Sequence, residues 1–262
     1  AIGAQYSYTD DSERDLLLEH PIAINKALSN LKITHHMFGE GDMVLNYWVA
    51  SGEHVGEFFG AAGTNNSIEY FGLALGRFAD GRLVEEWELW DDISLAATIN
   101  PKAMYDLCMS QLKIGNDPAK KKNPILNKFL GSSSLHNPVS CHHDSVVEKN
   151  ISSWTAYVNE TFNHGHYDVN HKNISPDFMW HGPGGSKIKG SFAAFDSIRA
   201  MRSQNPNLKV KTSMFGEGDY VASHFIWDSN GSKNPARQSD EGEAVQFTGI
   251  TVGRFDSKGR LV

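Results

Sequence analysis

The sequence predicts an α+β protein that contains two tandem copies of one unit. Two observations carry this prediction: a long internal repeat, and strand-like segments that follow the start of each copy of it. Residues 30–42 read NLKITHHMFGEGD, and residues 207–219, which lie 177 positions later, read NLKVKTSMFGEGD. From residue 30 to residue 79, 14 of 50 positions are identical at this offset, so the chain carries the unit twice.

Each copy is predicted to be rich in β-strands. In the first copy, the Gly-Glu-Gly-Asp sequence at 39–42 has the composition of a tight hairpin turn, and the run at 43–49 is β-branched and aromatic. A third strand is expected at residues 68–78, and a fourth, unusually aromatic and acidic, from Leu83 to Trp90. The second copy repeats the turn and the next two strands at residues 216–219, 220–227 and 245–255.

Helices are expected to flank these strands. Apolar residues at helical spacing predict helices over residues 14–28 and 191–202, in matching places before each repeat. A helix that begins at Pro101 is expected to end at Lys113, and another is expected over residues 144–162. The predicted organisation is a first domain, a linker rich in Pro, Gly, Ser and Lys, and a second domain, at residues 1–114, 115–141 and 142–262.

Neither copy is expected to be complete. The first copy begins at a point that matches residues 182–184 of the second, so we expect it to lack the opening helix and strand. The second copy ends at Val262, the counterpart of Val84, so we expect it to lack the last strand. A natural chain that extends beyond both ends is the simplest explanation.

Charge and composition exclude some functions. A net charge of −7 and a pI near 5.9 argue against a nucleic-acid partner, because phosphate binding needs clustered Lys and Arg. No run of about 18 apolar residues occurs, so no membrane span is expected. The first residue is Ala1 rather than Met, and five Asn-x-Ser/Thr sequons are present. These features are compatible with a processed organellar or secretory protein, but they leave the compartment unknown.

Several ordered motifs resemble those of the SnoaL-like polyketide cyclases, which belong to the nuclear-transport-factor-two-like superfamily. The resemblance implies two tandem cone-shaped domains, each a strongly curved mixed or antiparallel sheet wrapped on helices around an apolar pocket. It covers most of the chain outside the linker. The motifs are GEHVGEFFGAAGT at 52–64, GRF at 76–78, DGRLVEEWELWD at 80–91, TFNHGHYD at 161–168 and SPDFMWHGPG at 175–184.

The resemblance also implies a chemistry. Cyclases of this type close a ring by intramolecular aldol chemistry, without a metal or an organic cofactor, and an acid on the last long strand moves the proton. That acid falls on Glu88, where the family usually has Asp, and strand alternation places Glu88 on the same face as Trp90. If this face lines the cone, an apolar environment would raise the pKa of Glu88 toward the range of a general base.

Other pocket residues follow from the same motifs. His54, in a Gly-x-His-x-Gly-x-Phe motif near the pocket mouth, and His181, in the second copy, are candidates for orienting a substrate carbonyl. The alternative for His54 is a loop histidine that anchors a bend. Candidate pocket-lining aromatic residues, which could equally be core residues, are Trp48, Tyr70, Trp90 and Trp180. Seven of the 12 histidines lie between positions 136 and 181, but largely in the linker and a helix-exit loop, so we predict no metal site.

Two functions remain open from the sequence. The first is a small-molecule enzyme that acts on an apolar, carbonyl-containing substrate. The second is a catalytically idle tandem module that serves as a binding or structural subunit of a larger assembly. For either function, the two domains are expected to pack as a pseudo-dimer through their sheets. The second copy favours the idle module, because residues 228–235 replace the histidine motif found in the first copy.

Overall fold

A computed structural model describes most of the chain. The described residues are 2–6, 21–58, 60–102, 105, 135, 144–167, 172–232 and 243–262. Two compact units are present: unit 1 comprises Ala1–Met37, Val44–Ser132 and Gly182–Gly185, and unit 2 comprises Phe38–Met43, Ser133–His181 and Ser186–Val262. Within the described parts of the chain, every helix is too short or too polar to cross a membrane.

Unit 1 is built on a five-stranded sheet. Its strands lie in the order β1-β5-β4-β3-β2, and β5 pairs antiparallel with both of its neighbours. The strands are β1 (Ile2–Tyr6), β2 (Leu28–Glu40), β3 (Met43–His54), β4 (Ser67–Ala79) and β5 (Arg82–Trp90). A helical segment at residues 21–27 precedes β2, and helix α1 (Asp92–Ile99) follows β5.

The sequence analysis did not predict strand β1. Residues 2–6 pair with β5 along the whole length of β1, from Ile2↔Trp90 to Tyr6↔Glu86. The pairing satisfies backbone groups that β5 would otherwise present at a sheet edge. As a result, Glu88 lies on a central strand, between Ala4 of β1 and Ala74 of β4.

The predicted hairpin turns are present in both copies of the repeat. Gly41 lies at the first position of the two-residue turn between β2 and β3, and Gly218 lies at the same position in the second copy. Both have φ of 60°. Side chains with a Cβ rarely adopt this conformation, so the Gly-Glu-Gly-Asp motif is explained by the backbone of the turn.

The core of unit 1 lies between one face of the sheet and two helices. Ile24 and Ala27 of the helical segment and Leu95 of α1 are at most 5% exposed. They pack with Trp48 and Tyr70 in one hydrophobic cluster. Helix α1 begins at Asp91, whose side chain accepts a hydrogen bond from the backbone N–H of Ser94. This cap fixes the direction in which the chain leaves β5.

Unit 2 places helices against a three-stranded antiparallel sheet of order β10-β9-β8 and carries a separate two-stranded hairpin. Its helices are α2 (Ser145–Tyr157), which continues into a π-helical turn (Val158–His164), and α3 (Ser191–Gln204). The hairpin strands are β6 (Met179–His181) and β7 (Lys187–Lys189), and the sheet strands are β8 (Lys209–Glu217), β9 (Tyr220–Ser232) and β10 (Glu243–Arg254).

The helices largely match the sequence prediction. The helix expected over 144–162 is α2 with its π-helical continuation, and α3 occupies the expected place before the second repeat. The helix predicted over 14–28 is described only from residue 21 and ends at 27, because the chain enters β2 at Leu28. The helix predicted over 101–113 and the linker fall almost entirely outside the described residues.

Candidate functional site

A mostly apolar cavity of about 200 Å³ opens on one face of the unit 1 sheet. The helical segment, β2, β3, β4 and β5 all contribute to its walls, so it lies over the sheet rather than at an edge turn. The lining residues are Pro21, Ile24, Asn25, Leu31, Ile33, His35, Asn46, Trp48, Tyr70 and Trp90. Three of the four aromatic residues predicted for a pocket, Trp48, Tyr70 and Trp90, therefore meet here.

The indole of Trp48 lies between the other two rings. Its ring centroid is 5.4 Å from that of Tyr70 and 5.5 Å from that of Trp90, and both pairs are edge-to-face. This position requires glycine at residue 72, because a Cβ there would lie 2.1 Å from Cζ2 of Trp48. Because residue 72 is glycine, the Trp48 ring can lie directly against the sheet, and the cavity above the ring stays open.

Unit 2 repeats this contact with a different ring. Phe225 is the counterpart of Trp48, and Gly249 is the counterpart of Gly72. A Cβ on Gly249 would lie 2.4 Å from Cζ of Phe225. The identical glycines of the repeat therefore have a packing reason. Around them, unit 2 is packed with other aromatic rings, for example Tyr157 against Phe195 with centroids 6.5 Å apart.

Glu88 lies beside this cavity rather than on its lining. Alternation along β5 places its side chain on the face of Trp90, and the two side chains share a hydrogen bond. Burial, followed by the nearby charge of Glu86, raises the pKa of Glu88 to about 7, although the hydrogen bond with Trp90 opposes the shift. Such a carboxyl group exchanges protons readily near neutral pH.

Asp92 is a second perturbed carboxyl group, which the sequence did not single out. Burial, followed by the charge of Asp91, raises its pKa to about 6. Its Oδ1 is buried and has no hydrogen-bond partner among the described atoms. Burial raises the pKa of the Tyr70 hydroxyl, and the negative charge of Asp92 raises it further, so Tyr70 remains a hydrogen-bond donor at the cavity. The carboxylate of Asp92 and the hydroxyl group of Tyr70 therefore interact electrostatically.

A histidine on β2 is the other functional group that the sequence analysis missed. His35 lines the cavity mouth, and its Nδ1 lies 3.2 Å from Oδ1 of Asn46. An amide oxygen only accepts hydrogen bonds, so Nδ1 carries the proton and Nε2 carries the lone pair in neutral His35. The available signal was strand alternation, which places His35 on the same face as Leu31 and Ile33.

His54 does not line the cavity. It is completely buried, and its Nδ1 lies 3.3 Å from the backbone N of Thr64, which donates to it. Backbone hydrogen bonds to residues 65 and 66 hold the same bend closed, at 2.8 and 3.0 Å. Burial lowers the pKa of His54, so the ring is neutral. These contacts match the alternative reading, a histidine that anchors a bend.

The candidates in the second copy are not among the residues that line the described cavity. Trp180 and His181 belong to β6 in unit 2, opposite Ile188 and Lys187 of β7. Trp180 is 37% exposed, and His181 is also exposed.

Comparison with known proteins agrees with this architecture. The SnoaL-like polyketide cyclase family matches residues 15–99, and the SnoaL-like domain family matches residues 154–262. Curated protein sequences gave no match.

Among solved structures, the chain is similar to a proposed polyketide cyclase from Acidithiobacillus ferrooxidans, at 22% identity and a TM-score of 0.39; the match covers 43% of this chain and 82% of that one. A proposed SnoaL-like polyketide cyclase from Jannaschia sp. CCS1 matches at 17% identity and a TM-score of 0.42, over 47% of this chain and 87% of that one. An LEH-like epoxide hydrolase from M. tuberculosis matches at 19% identity and a TM-score of 0.36, over 45% and 77%. The two family matches fall one on each copy of the repeat, and the chain belongs to the SnoaL-like family as a tandem pair of its α+β cone domains.

Proposed function

We propose that unit 1 binds an apolar, carbonyl-containing small molecule and catalyses a cyclase- or isomerase-type proton transfer on it without a cofactor. The observation that carries this proposal is the position of Glu88. Its carboxyl group is partly buried, has a pKa of about 7, and contacts Trp90 at the wall of the aromatic cavity. A base with this pKa is present in both protonation states near neutral pH, as acid–base catalysis requires.

The size and walls of the cavity suit a flat, ring-containing substrate. A volume of about 200 Å³ exceeds the roughly 150 Å³ of an engineered apolar cavity that holds benzene. The edge-to-face arrangement of Trp48, Tyr70 and Trp90 offers ring faces and edges for stacking. Because the cavity also reaches the exposed β2 residues Ile33 and His35, a longer substrate can extend out of it.

The proposed reaction begins with removal of a proton next to a ketone. The C–H bond breaks, Glu88 takes the proton, and the electron pair forms an enolate whose oxygen is stabilised by neutral donors. Tyr70 can serve as such a donor at this cavity, because its raised pKa keeps the hydroxyl group protonated. The enolate carbon then attacks a second carbonyl group of the same molecule. A carbon–carbon bond forms, and protonated Glu88 returns its proton to the new alkoxide.

The idle-module alternative has one specific observation in its favour. Unit 2 does not carry the polar groups that line the unit 1 cavity: at the repeat offset, Thr212 replaces His35 and Ser223 replaces Asn46. Its interior is packed by aromatic rings. A protein with one such packed copy is a reasonable binding or structural subunit, and the test below separates this role from catalysis.

The test is deuterium exchange at the carbon next to the carbonyl group of a bicyclic aromatic ketone, such as 2-tetralone, followed by NMR in D₂O. We expect the full chain to accelerate exchange and Glu88→Gln to abolish the acceleration. Glu86→Gln is the matched control, because Glu86 lies on the same strand face and should leave most of the activity. Binding without accelerated exchange, measured by quenching of indole fluorescence, would favour the idle module, and equal exchange by Glu88→Gln would refute the assignment.

A further inference from the structure

A compact group of metal-type ligands lies in unit 2, away from the residues discussed above. Glu160 is on the π-helical turn, His164 is the last residue of that turn, and His166 follows two residues later, after Gly165. One carboxylate oxygen of Glu160 lies 2.9 Å from Nδ1 of His166, and the other lies 3.8 Å from Nδ1 of His164. Each of the three side chains has a potential ligand atom within 4.8 Å of the others.

We propose that Glu160, His164 and His166 form a binding site for a zinc-class divalent transition-metal ion. The distances fit such an ion. Zn–N bonds of about 2.0–2.1 Å and Zn–O bonds of about 2.0–2.2 Å at tetrahedral angles place neighbouring ligand atoms about 3.3–3.5 Å apart. The two observed separations, 2.9 Å from one carboxylate oxygen to Nδ1 of His166 and 3.8 Å from the other oxygen to Nδ1 of His164, lie on either side of this value. Binding of one ion by all three side chains therefore requires side-chain rotation, which the exposure of both histidines allows.

The backbone conformation explains why Glu160 and His166, which are six positions apart, lie next to each other. In a continuous α-helix, positions six apart differ by about 240° around the axis, so Glu160 and His166 would face different directions. Gly165 ends the helix in the left-handed conformation, with φ of 74°, and turns the chain back. The backbone N–H of His166 then donates to the carbonyl oxygen of Glu160 at 2.7 Å. A π-helical turn that ends at this bend thus places both histidines over one carboxylate.

The turn is also held in place by neighbouring elements. The side-chain amide of Asn163 donates to the carbonyl of Val210 at 3.0 Å, and its oxygen accepts from the backbone N–H of Val210 at 2.6 Å. The guanidinium of Arg202, on α3, donates to the carbonyl oxygen of Phe162. We expected these histidines in a helix-exit loop too loose for a metal. Instead, the turn is anchored to both β8 and α3, which gives the preorganised backbone that a metal site needs.

The ligand types select the class of ion. Two imidazole nitrogens suit zinc, copper, nickel or cobalt, whereas Mg²⁺ and Ca²⁺ prefer sets made of oxygen atoms. Glu160 supplies the negative charge that offsets the positive charge of the ion. The histidine side chains are 53% and 63% exposed, so a metal ion can reach them and water can fill the remaining coordination position.

Metal titration of the full chain tests the proposal. After treatment with a chelator, the wild type, His164→Ala, His166→Ala and the double variant would be titrated with Zn²⁺ by calorimetry and with Co²⁺ by visible absorption. His181→Ala is the matched control, because His181 is an exposed histidine of the same unit. All variants should unfold at the same temperature as the wild type without metal, since the replaced side chains are exposed.

We expect one Zn²⁺ equivalent in the wild type and in His181→Ala, and a Co²⁺ absorption band typical of four-coordinate nitrogen and oxygen ligands. Each single substitution, His164→Ala or His166→Ala, should lower the affinity for this Zn²⁺ ion by more than about tenfold. Loss of an outer-shell partner of a metal ligand often has an effect of that size, and these residues are proposed as direct ligands. A double variant that retains the equivalent, or a wild type without the Co²⁺ band, would overturn the proposal. Other histidines of the chain do not confuse the result, because only the difference between variants is read.

Discussion

Trp48 lies so close to Gly72 that a Cβ at residue 72 would be 2.1 Å from its Cζ2. The same relationship joins Phe225 and Gly249 in the second copy, with a distance of 2.4 Å. In unit 1 the ring forms a wall of the cavity, whereas in unit 2 it belongs to a packed aromatic interior. The duplication therefore preserved a packing relationship while the surroundings diverged.

The first prediction concerns this contact. Gly72→Ala should lower the free energy of unfolding by about 1–3 kcal/mol, because the added methyl group overpacks a ring held between two others. In a Trp48→Ala background the same substitution should cost less, since the clashing ring is absent and only the close approach to the backbone oxygen of Leu89, at 2.9 Å, remains. A double-mutant cycle from urea unfolding measures the coupling. Additive effects of the two substitutions would contradict the contact.

The second prediction concerns pH and stability. The folded-state pKa of Glu88, about 7, lies above its ordinary value of 4.5, so the folded protein binds its proton more tightly than the unfolded chain does. The stabilisation is fully present below pH 4.5 and is lost as pH rises through 7, with a slope of at most about 1.4 kcal/mol per pH unit. Glu88→Gln should remove this slope in urea unfolding series between pH 5 and 8. Asp92, with a folded pKa of about 6, adds a smaller slope of the same sign that survives in that variant.

The third prediction concerns the pH dependence of catalysis. Because ionised Glu88 is the proposed base, the rate of ketone deuterium exchange should rise with pH and level off above about 7. Glu86→Gln should shift the midpoint to lower pH, since the charge of Glu86 helps to raise the pKa of Glu88. A midpoint that does not move in this variant would indicate that another group is titrating.

The fourth prediction concerns the tautomer of His35. Its contact with Asn46 places the proton on Nδ1, whereas free neutral histidine prefers the proton on Nε2. Nitrogen-15 NMR of the imidazole rings should show the Nδ1–H form for this residue, and Asn46→Ala should return it to the ordinary preference. If Nε2 of His35 orients a substrate donor at the cavity mouth, Asn46→Ala should also weaken ketone binding several-fold. An unchanged spectrum would rule out the hydrogen bond.

The fifth prediction separates a structural role from a catalytic one. His54→Gln should destabilise unit 1 by about 1–3 kcal/mol, because it disturbs a buried hydrogen bond that closes the bend at residues 54–66. At a temperature where the variant is folded, its exchange rate should stay close to that of the wild type. A loss as large as that of Glu88→Gln, without unfolding, would instead place His54 in the catalytic site.

Part of the architecture could be predicted from local sequence features. The hairpin turn needs a glycine with positive φ at residues 41 and 218, and this requirement is visible as a repeated motif. The helix α3 and the long strands carry apolar periodicities that few other structures would satisfy. Alternation along β5 similarly predicts that Glu88 and Trp90 share one face of the strand.

Other features depended on contacts between distant segments. Strand β1 forms because it pairs with β5, at least 80 positions away in the sequence. Its five residues carry no pattern that predicts this partner. His54 carries a family motif, yet its side chain is buried in a bend that only the fold reveals. His35 and Asn46 meet across neighbouring strands, and Glu160 meets His166 because Gly165 turns the chain back.

The sequence by itself therefore determined the duplication, the types of the main elements and the strand face that carries Glu88, because these depend on residues close together in the chain. The tertiary structure decided which polar groups face the cavity, which histidine anchors a bend, and which carboxyl groups have a raised pKa. Those properties depend on burial and on partners brought together from separate strands and helices. For the same reason, the cavity beside Glu88 and the ligand group around Glu160 became visible only in the folded chain.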